Sequence, residues 1–248
     1  SVDYWSVHSI ESVTAGQVIA VYHPAVSGED GMSVKGRLVP AKHGREQMPL
    51  KGKGFDRMDD EVTYTASMDG KIEMQNDRIV VLPVHEVSGN AELAEGNIDF
   101  RGDIVIHGNV ESGVNIRATG SITIDGVAEA CMLEAGKDII LRGGMLGGNK
   151  ASVKTKGAIT AKFFEFTNIL CEGDLQADVL MDCSVICHGQ IRLTGRKGSI
   201  IGGKVQAIRG LIATSLGNDA EKRTEIFVGA GIDVYSRLRV MEKKIETT

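Results

Sequence analysis

The 248-residue sequence predicts an all-β protein in which a small irregular module precedes a parallel β-solenoid of about seven turns. Three observations predict this fold. A pattern of aliphatic residues with period two repeats every 16–20 residues, and all four prolines lie within the first 83 residues. In addition, 31 glycines stand beside only one Trp, four Tyr and six Phe. Proline lacks a donor for a strand ladder, so its absence after Pro83 suits a continuous sheet, and we place the boundary between residues 83 and 96.

The first module, residues 1–90, has strand and turn signals without a regular repeat. Residues 16–21 and 78–82 favour strands because they are rich in Val and Ile. Asp69-Gly70 and Asn76-Asp77 are typical of hairpin turns. The polar, glycine-rich stretch from residue 42 to residue 57 predicts a loop.

The second segment, residues 91–235, contains the repeat. Its unit is aliphatic–x–small–x–corner–x–aliphatic–x–aliphatic, as in residues 116–124 and 169–177. Alternation with period two indicates a strand with one inward face, whereas a helix would scatter these apolar residues round its circumference. Strands that recur this closely with no helical segment between them predict stacked solenoid turns with aligned side chains. The corner residues are Gly102, Gly120, Lys137, Gly157, Gly173, Gly189 and Arg209.

Three further segments complete the chain. The two 20-residue turns contain similar glycine-rich stretches, residues 143–148 and 198–203, which are predicted to be loops near one flank, three turns apart. The charged residues 236–248 favour the start of a C-terminal helix. Ser1 follows no initiator Met, so we expect an excised segment of a longer protein.

The repeat accounts for the four cysteines as small core residues. Cys171 and Cys187 occupy the small inward position of consecutive repeats, and Cys131 and Cys183 each lie six residues before a corner. A zinc site needs four convergent ligands, and strand alternation points His188 away from Cys187. The cysteines therefore predict reduced, buried thiols rather than a metal site.

A partial P-loop pattern is also explained by the repeat. Residues 198–204 match Gly-x4-Gly-Lys, but Val205 replaces the Ser or Thr that would hold magnesium, and no helix is expected to follow. The six histidines are scattered, with His107 and His188 predicted to be solvated, and residues 59–61 form a surface charge run. The sequence thus predicts no catalytic residue, no cofactor and no metal.

The charge balance limits the choice of partners. With 28 Lys and Arg against 33 Asp and Glu, the formal net charge is −5, which disfavours a general nucleic-acid coat. No apolar run approaches the ~20 residues of a membrane span. One group of cations is either a contact site for an acidic protein or a solvated flank. This basic cluster consists of Arg192, Arg196, Lys197, Lys204 and Arg209, with Lys222 and Arg223 in a later insertion.

Several segments of the repeat together resemble a known family. Residues 96–110, 126–130, 161–165 and 195–203, with residues 28–36 of the first module, are similar to the bacterial flagellar assembly protein A family. The resemblance extends from about residue 13 to residue 229. It implies a cytoplasmic bacterial protein with an N-terminal β module, a right-handed β-solenoid and often a following coiled coil. It also implies a role in flagellar assembly or its regulation through protein contacts, with no catalytic residue set.

Three functional hypotheses follow. The leading one is a non-enzymatic cytoplasmic scaffold that binds other proteins and forms homo-oligomers through its C-terminal helix. A second is a carbohydrate- or nucleotide-binding protein, or an enzyme, that uses a groove beside the solenoid. A third is a filament-forming solenoid, because open solenoid ends expose unpaired strands.

Overall fold

The computed structural model describes residues 12–42, 44–45, 49–76, 78–195 and 198–229. Within these ranges the protein is all-β, as predicted, with one 3-10 turn at Leu93–Glu95. The chain divides into two compact units, one spanning Glu11–Pro83 and one beginning at Val84. The helix predicted at residues 236–248 lies outside the described residues, and the finer boundaries after residues 90 and 235 remain predictions.

The described residues of the first unit form nine short strands in three small sheets, ordered β1-β8-β9-β5, β2-β7-β6 and β3-β4. These strands are β1 Ser12–Val13, β2 Val18–Val21, β3 Gly31–Met32, β4 Leu38–Val39, β5 Gly52–Lys53, β6 Phe55–Arg57, β7 Thr63–Ala66, β8 Gly70–Gln75 and β9 Arg78–Leu82. The predicted strands at residues 16–21 and 78–82 are confirmed. So is the hairpin at Asn76, since Gln75 pairs with Arg78 across the turn.

Two predictions for this unit were wrong. Asp69-Gly70 does not close a hairpin, because β7 and β8 belong to different sheets. Residues 42–57 are not only loop, since they include β5 and β6. Gly52 explains the second error. A Cβ atom on residue 52 would overlap the Ile79 carbonyl oxygen, so glycine allows β5 to lie close to β9 at this point.

The second unit is a parallel solenoid built from two long sheets. Its strands are β10 Val84–Val87, β11 Ile98–Phe100, β12 Asp103–Ile106, β13 Asn115–Ala118, β14 Ile122–Ile124, β15 Ala128–Glu129, β16 Met132–Ala135, β17 Ile139–Leu141, β18 Met145–Thr155, β19 Ile159–Ala161, β20 Phe163–Cys171, β21 Leu175–Ala177, β22 Val179–Cys187, β23 Gln190–Leu193, β24 Ser199–Ala207, β25 Gly210–Ile212, β26 Ser215–Leu216 and β27 Thr224–Val228. The eight-stranded sheet is ordered β10-β12-β14-β17-β19-β21-β23-β25, and the other is ordered β11-β13-β16-β18-β20-β22-β24-β26, with β15 beside β18 and β27 beside β24.

The stacking register matches the repeat position by position. Ile104 lies beside Ile122, and Ile122 lies beside Ile139, along the eight-stranded sheet. In the ten-stranded sheet Cys171 lies beside Cys187. The predicted solenoid is therefore confirmed, with eight rungs rather than about seven. The additional rung is β10, which pairs with β12 although it precedes the recognisable repeat.

The core is a set of ladders inside the coil. Ile122, Ile159 and Ile191, predicted to share this core, are at most 1% exposed and belong to one hydrophobic cluster. All four cysteines are free and buried, as predicted. Small residues alternate with large ones along the inward positions, so neighbouring turns interdigitate without aromatic bulk.

The corners of the coil follow a rule that the repeat pattern alone does not reveal. At every second rung an Asp carboxylate accepts a hydrogen bond from a backbone N–H of the next rung. The residue just before that N–H is always glycine, because a Cβ atom there would overlap the carboxylate. Of the three corners that follow a rung without this Asp, two carry a side chain, Lys137 and Arg209. The third is Gly173, where a Cβ atom would lie 2.6 Å from the Gly157 carbonyl oxygen. The pairs are Asp103 with Ser121 (2.7 Å), Asp138 with Ala158 (2.8 Å) and Asp174 with Gln190 (2.8 Å).

The two glycine-rich stretches predicted to be loops are strands. Residues 145–148 lie in β18 and residues 199–203 in β24, at equivalent positions three rungs apart. Met145 and Ile200 are fully buried, because both stretches line the core. The extra residues of the two long turns lie at different places. In one turn they fall between Leu146 and Ala151, and in the other they precede Ser199.

A left-handed residue divides each long strand into two faces. The positive φ angles are 47° at Phe166, 51° at Asp182 and 70° at Gly202, which occupy the same place on successive rungs. The first part of these strands forms a short middle face, and the second part forms the rest of the ten-stranded sheet. We call the first part, residues 145–146, 163–165, 179–181 and 199–201, the middle face.

Candidate partner-binding surfaces

The structure describes three members of the predicted basic cluster and distributes them over the coil. Arg192 points outward from β23, where its Nη2 donates to Gln190 Oε1 at 3.0 Å. Lys204 points outward from β24, in the other sheet, with its Nζ 5.3 Å from the Phe227 ring centroid. Arg209 is exposed at a corner. Arg196 and Lys197 lie outside the described residues, so the cluster as a contact site stays a prediction.

The two cations of the later insertion have acidic partners. Lys222 forms a salt bridge with Asp182, and its Nζ lies 5.5 Å from the Phe166 ring centroid. Arg223 forms a salt bridge with Glu225 at 2.6 Å. Lys222 thus connects the insertion to Phe166 and Asp182, two left-handed residues of the coil, and the charges of Lys222 and Arg223 are partly neutralised.

An ion ladder crosses the first rungs of the ten-stranded sheet. Arg117 lies 3.2 Å from Glu134 and 3.8 Å from Asp99, and Lys154 lies 3.3 Å from Glu134. The hydrogen bond from Lys154, followed by the charges of Lys154 and Arg117, holds the pKa of Glu134 below its ordinary value of 4.5. Such a carboxylate stays ionised at neutral pH, so it is poorly suited to act as a general acid. The side chains border a surface groove of about 390 Å³.

An apolar strip covers the outside of the middle face. In adjacent strands Leu146, Glu165, Met181 and Ile201 form one outward ladder, and Phe163 and Val179 form a second. Leu146 is 41% exposed, and the other members are half-buried. Inward neighbours such as Phe164 and Leu180 are fully buried, so both sides of this face are apolar. We define the apolar strip as Leu146, Phe163, Val179, Met181 and Ile201, with Glu165 in its midst.

The sequence prediction missed this strip, although a signal was present. Residues 163–164, 179–181 and 199–201 are runs of adjacent apolar or small residues rather than alternating ones. Such runs indicate strands with two apolar faces. The repeat unit did not include these residues, because it was anchored on the alternating strands on either side of each corner.

The thiols lie among backbone carbonyls. Sγ of Cys187 and Sγ of Cys171 lie 3.2 and 3.4 Å from the Gly173 carbonyl oxygen. Their mutual hydrogen bond, followed by burial, raises the pKa of Cys171. Burial also raises the pKa of Cys131 to about 12 and that of Cys183 to about 11. Protonated, buried thiols such as those of Cys131 and Cys183 are poor nucleophiles and poor metal ligands. Among the described residues, no group of three or more His, Cys, Asp and Glu is arranged to hold a metal ion.

Two other sequence motifs have structural roles. The P-loop-like stretch continues into the strand β24, which ends at Ala207 without a following helix, so it lacks the helix N-terminus of a phosphate site. His107 is exposed, as expected, and its Nδ1 lies 3.0 Å from Asp125 on the next rung. Asp125 also lies 3.3 Å from Arg142, one rung further. These three side chains form another exposed ladder on the coil.

Comparison with known proteins gives two family matches. Residues 83–248 match the model described as the Flagellar Assembly Protein A beta solenoid domain, and residues 1–77 match its N-terminal region. No curated protein and no solved structure matches the chain significantly. Within the described ranges, no helix has the length and apolar character needed to cross a membrane.

Proposed function

This chain belongs to the flagellar assembly protein A family, and on that premise we propose that it is a non-enzymatic scaffold for flagellar assembly. The scaffold binds partner proteins along the outside of its solenoid. It acts in the cytoplasm, where a reducing environment suits four buried free thiols. Rigid, stacked strands suit this role because they hold side chains at a fixed spacing of about 4.8 Å from rung to rung.

The apolar strip is the observation that best supports this proposal. Adjacent apolar side chains on an outward face are unusual on a soluble surface and are typical of interaction sites. The strip has polar neighbours along one side, where Lys162 and Asp178 directly precede Phe163 and Val179 on adjacent rungs. Interfaces commonly have such an apolar centre and a polar rim.

Glu165 adds a requirement on the partner. Its carboxylate stands between Leu146 and Met181 on the outward ladder, so a partner that covers the strip must neutralise it. Burying an unpaired carboxylate costs several kcal/mol, whereas a Lys or Arg from the partner restores the balance. The strip therefore favours a partner segment with aliphatic side chains and one central cation.

The basic cluster is the second proposed contact. Arg192, Lys204 and Arg209 are exposed, and an acidic partner would be attracted by them together with Arg196 and Lys197. Exposed cations act mainly on association rate, and their effect weakens as salt rises. Loss of this contact would therefore reduce the salt dependence of partner binding. The contribution of the apolar strip to the affinity would change less.

The experiment is an affinity pull-down with the full-length protein from its own cells, followed by mass spectrometry. We compare the native protein with the double variant Met181→Asp and Ile201→Asp, whose residues are direct neighbours in the strip. The matched control is Ile140→Asp with Thr160→Asp, because these residues are direct neighbours on the outside of the other sheet and neither belongs to the basic cluster. Both variants add two adjacent carboxylates at outward positions.

With the strip variant, the amount of the main partner recovered is expected to fall by tenfold or more. The reason is that removing an apolar interface anchor typically costs about 2 kcal/mol or more of binding free energy. The control is expected to retain it. Equal recovery of every partner by both variants would contradict the proposal. Thermal melts of both variants separate a lost contact from a lost fold.

A further inference from the structure

The β3–β4 hairpin of the first unit is an isolated two-stranded sheet with a tight tip. The tip is closed by three hydrogen bonds. Ser33 N–H donates to the Arg37 carbonyl, Gly36 N–H donates to the Ser33 carbonyl, and Arg37 N–H donates to Ser33 Oγ. Gly36 has a φ of 70°, which suits the reversal of the chain. The tip is thus a defined turn.

Its apolar side chains point to solvent on both faces. Met32 and Leu38 are paired across the two strands, so they share one face, and they are 76% and 66% exposed. Val39 pairs with Gly31 and therefore lies on the opposite face, where it is 51% exposed. Val34, at the turn, is fully exposed. Successive residues of a strand alternate between faces, so the hairpin is apolar all round rather than on one side.

Two cations stand among these apolar residues. Lys35 and Arg37 are exposed, and neither forms a salt bridge with another described residue. The nearest acidic residues in sequence, Glu29 and Asp30, precede β3. Asp30 is engaged at the base of the hairpin, where it accepts a hydrogen bond from Ala41 N–H at 2.7 Å. The tip therefore combines unpaired positive charge with exposed apolar surface.

We propose that the hairpin tip, residues 32–38, is a membrane-surface site that inserts its apolar side chains between the headgroups of an anionic bilayer. Peripheral membrane segments combine apolar side chains that enter the headgroup boundary with cations that attract anionic lipids. A protein groove covers mainly one face of a strand pair. A fluid bilayer surrounds a tip, which is what apolar residues on both faces and at the turn require. This inference is independent of the proposed scaffold function.

The test is co-sedimentation of the whole chain with vesicles of phosphatidylcholine containing phosphatidylglycerol. Binding is expected with these vesicles at low salt and is expected to be much weaker with pure phosphatidylcholine. Each cation near an anionic surface contributes about fivefold in affinity, so Lys35→Glu with Arg37→Glu is expected to lower binding by about thirtyfold or more. Lys137→Glu with Lys156→Glu is the control, because it makes the same charge change at exposed positions of the solenoid.

A second pair of variants tests insertion rather than attraction. Val34→Asp leaves both cations in place, and it is expected to reduce vesicle binding by tenfold or more because the tip can no longer enter the headgroup boundary. For Val34→Cys, the new thiol is the exposed one, since the four native cysteines are buried. An environment-sensitive fluorophore attached there is expected to shift to shorter wavelength when anionic vesicles are added.

Three results would overturn the inference. The first is co-sedimentation no greater with anionic than with neutral vesicles. The second is an equal loss in the solenoid control, which would mean that net charge alone governs binding. The third is tip variants that bind vesicles normally but lose an acidic protein, which would assign the tip to protein docking. Thermal melts confirm that each variant keeps its fold.

Discussion

At the residue scale, the corner aspartates determine where the coil requires glycine. Asp138 accepts the N–H of Ala158 at 2.8 Å, and Gly157 lies directly before that N–H. A Cβ atom on Gly157 would overlap the Asp138 carboxylate and lie 2.7 Å from the Lys137 carbonyl oxygen. The neighbours are backbone and a bonded carboxylate, so they have little room to move. Glycine is required here by close approach.

Gly157→Ala is therefore expected to lower the free energy of unfolding by about 1–3 kcal/mol, the usual cost of overpacking. The measurement is chemical denaturation of the purified chain. Gly89→Ala is the control, since a Cβ atom there meets nothing within 4 Å and the backbone has no positive φ. A Gly157→Ala protein as stable as the Gly89→Ala protein would contradict the proposed role of the corner.

The sequence allowed part of this residue-level detail to be predicted. The cysteines were expected to be small core residues because the repeat placed them at inward positions. The Asp–N–H bonds were not expected, because they join residues 16–20 positions apart and leave no local pattern. The apolar strip was missed because its residues lie outside the repeat unit.

At the element scale, the stacking ladders connect each strand to its neighbours. Ile159 stands between Ile139 and Leu175 in the eight-stranded sheet and is 1% exposed. The register was predictable because a slip of one residue would turn every inward aliphatic side chain to solvent. The short middle face was not predictable in the same way, since a strand with two apolar faces has no alternation to define its register. The strands of the first unit are mostly two to four residues long, which is too short for a periodic signal.

Ile159→Asp tests the register directly. The change buries an unpaired carboxylate between two ladders, so we expect the free energy of unfolding to fall by several kcal/mol. Thr160→Asp is the matched control, because Thr160 is the next residue and points outward. Thermal melts of both proteins measure the difference. An Ile159→Asp protein that melts with the native one would show that the assigned register is wrong.

At the scale of the whole molecule, the solenoid is a rod of eight rungs. With adjacent strands about 4.8 Å apart, its stacked sheets extend for roughly 30–35 Å. Each rung contacts only the rungs next to it, so the outward side chains of every rung stay accessible to partner proteins. Such a rod can hold bound proteins apart or align them, as a scaffold protein does.

Deletion of the gene for this protein is expected to reduce the number of flagella per cell and the spreading of cells in soft agar. The native gene supplied in trans should restore both. The gene with Met181→Asp and Ile201→Asp should restore them less well than the Ile140→Asp and Thr160→Asp control. Normal flagella, motility and cell-pole organisation in the deletion strain would count against the flagellar role.

The alternating corners also bear on how such a chain can grow or shrink in evolution. Asp103, Asp138 and Asp174 recur on every second rung, so this corner repeats with a period of two turns. Loss of residues 120–156 would join Asp103 to a rung that begins with Gly157 and would keep this Asp–glycine contact. Loss of residues 120–136 alone would place Lys137 and Asp138 against Asp103. Lys137 would then bring a side chain to the position that requires glycine, and the carboxylate of Asp138 would face that of Asp103. At this corner, losing or gaining two turns is therefore expected to cost less stability than losing or gaining one.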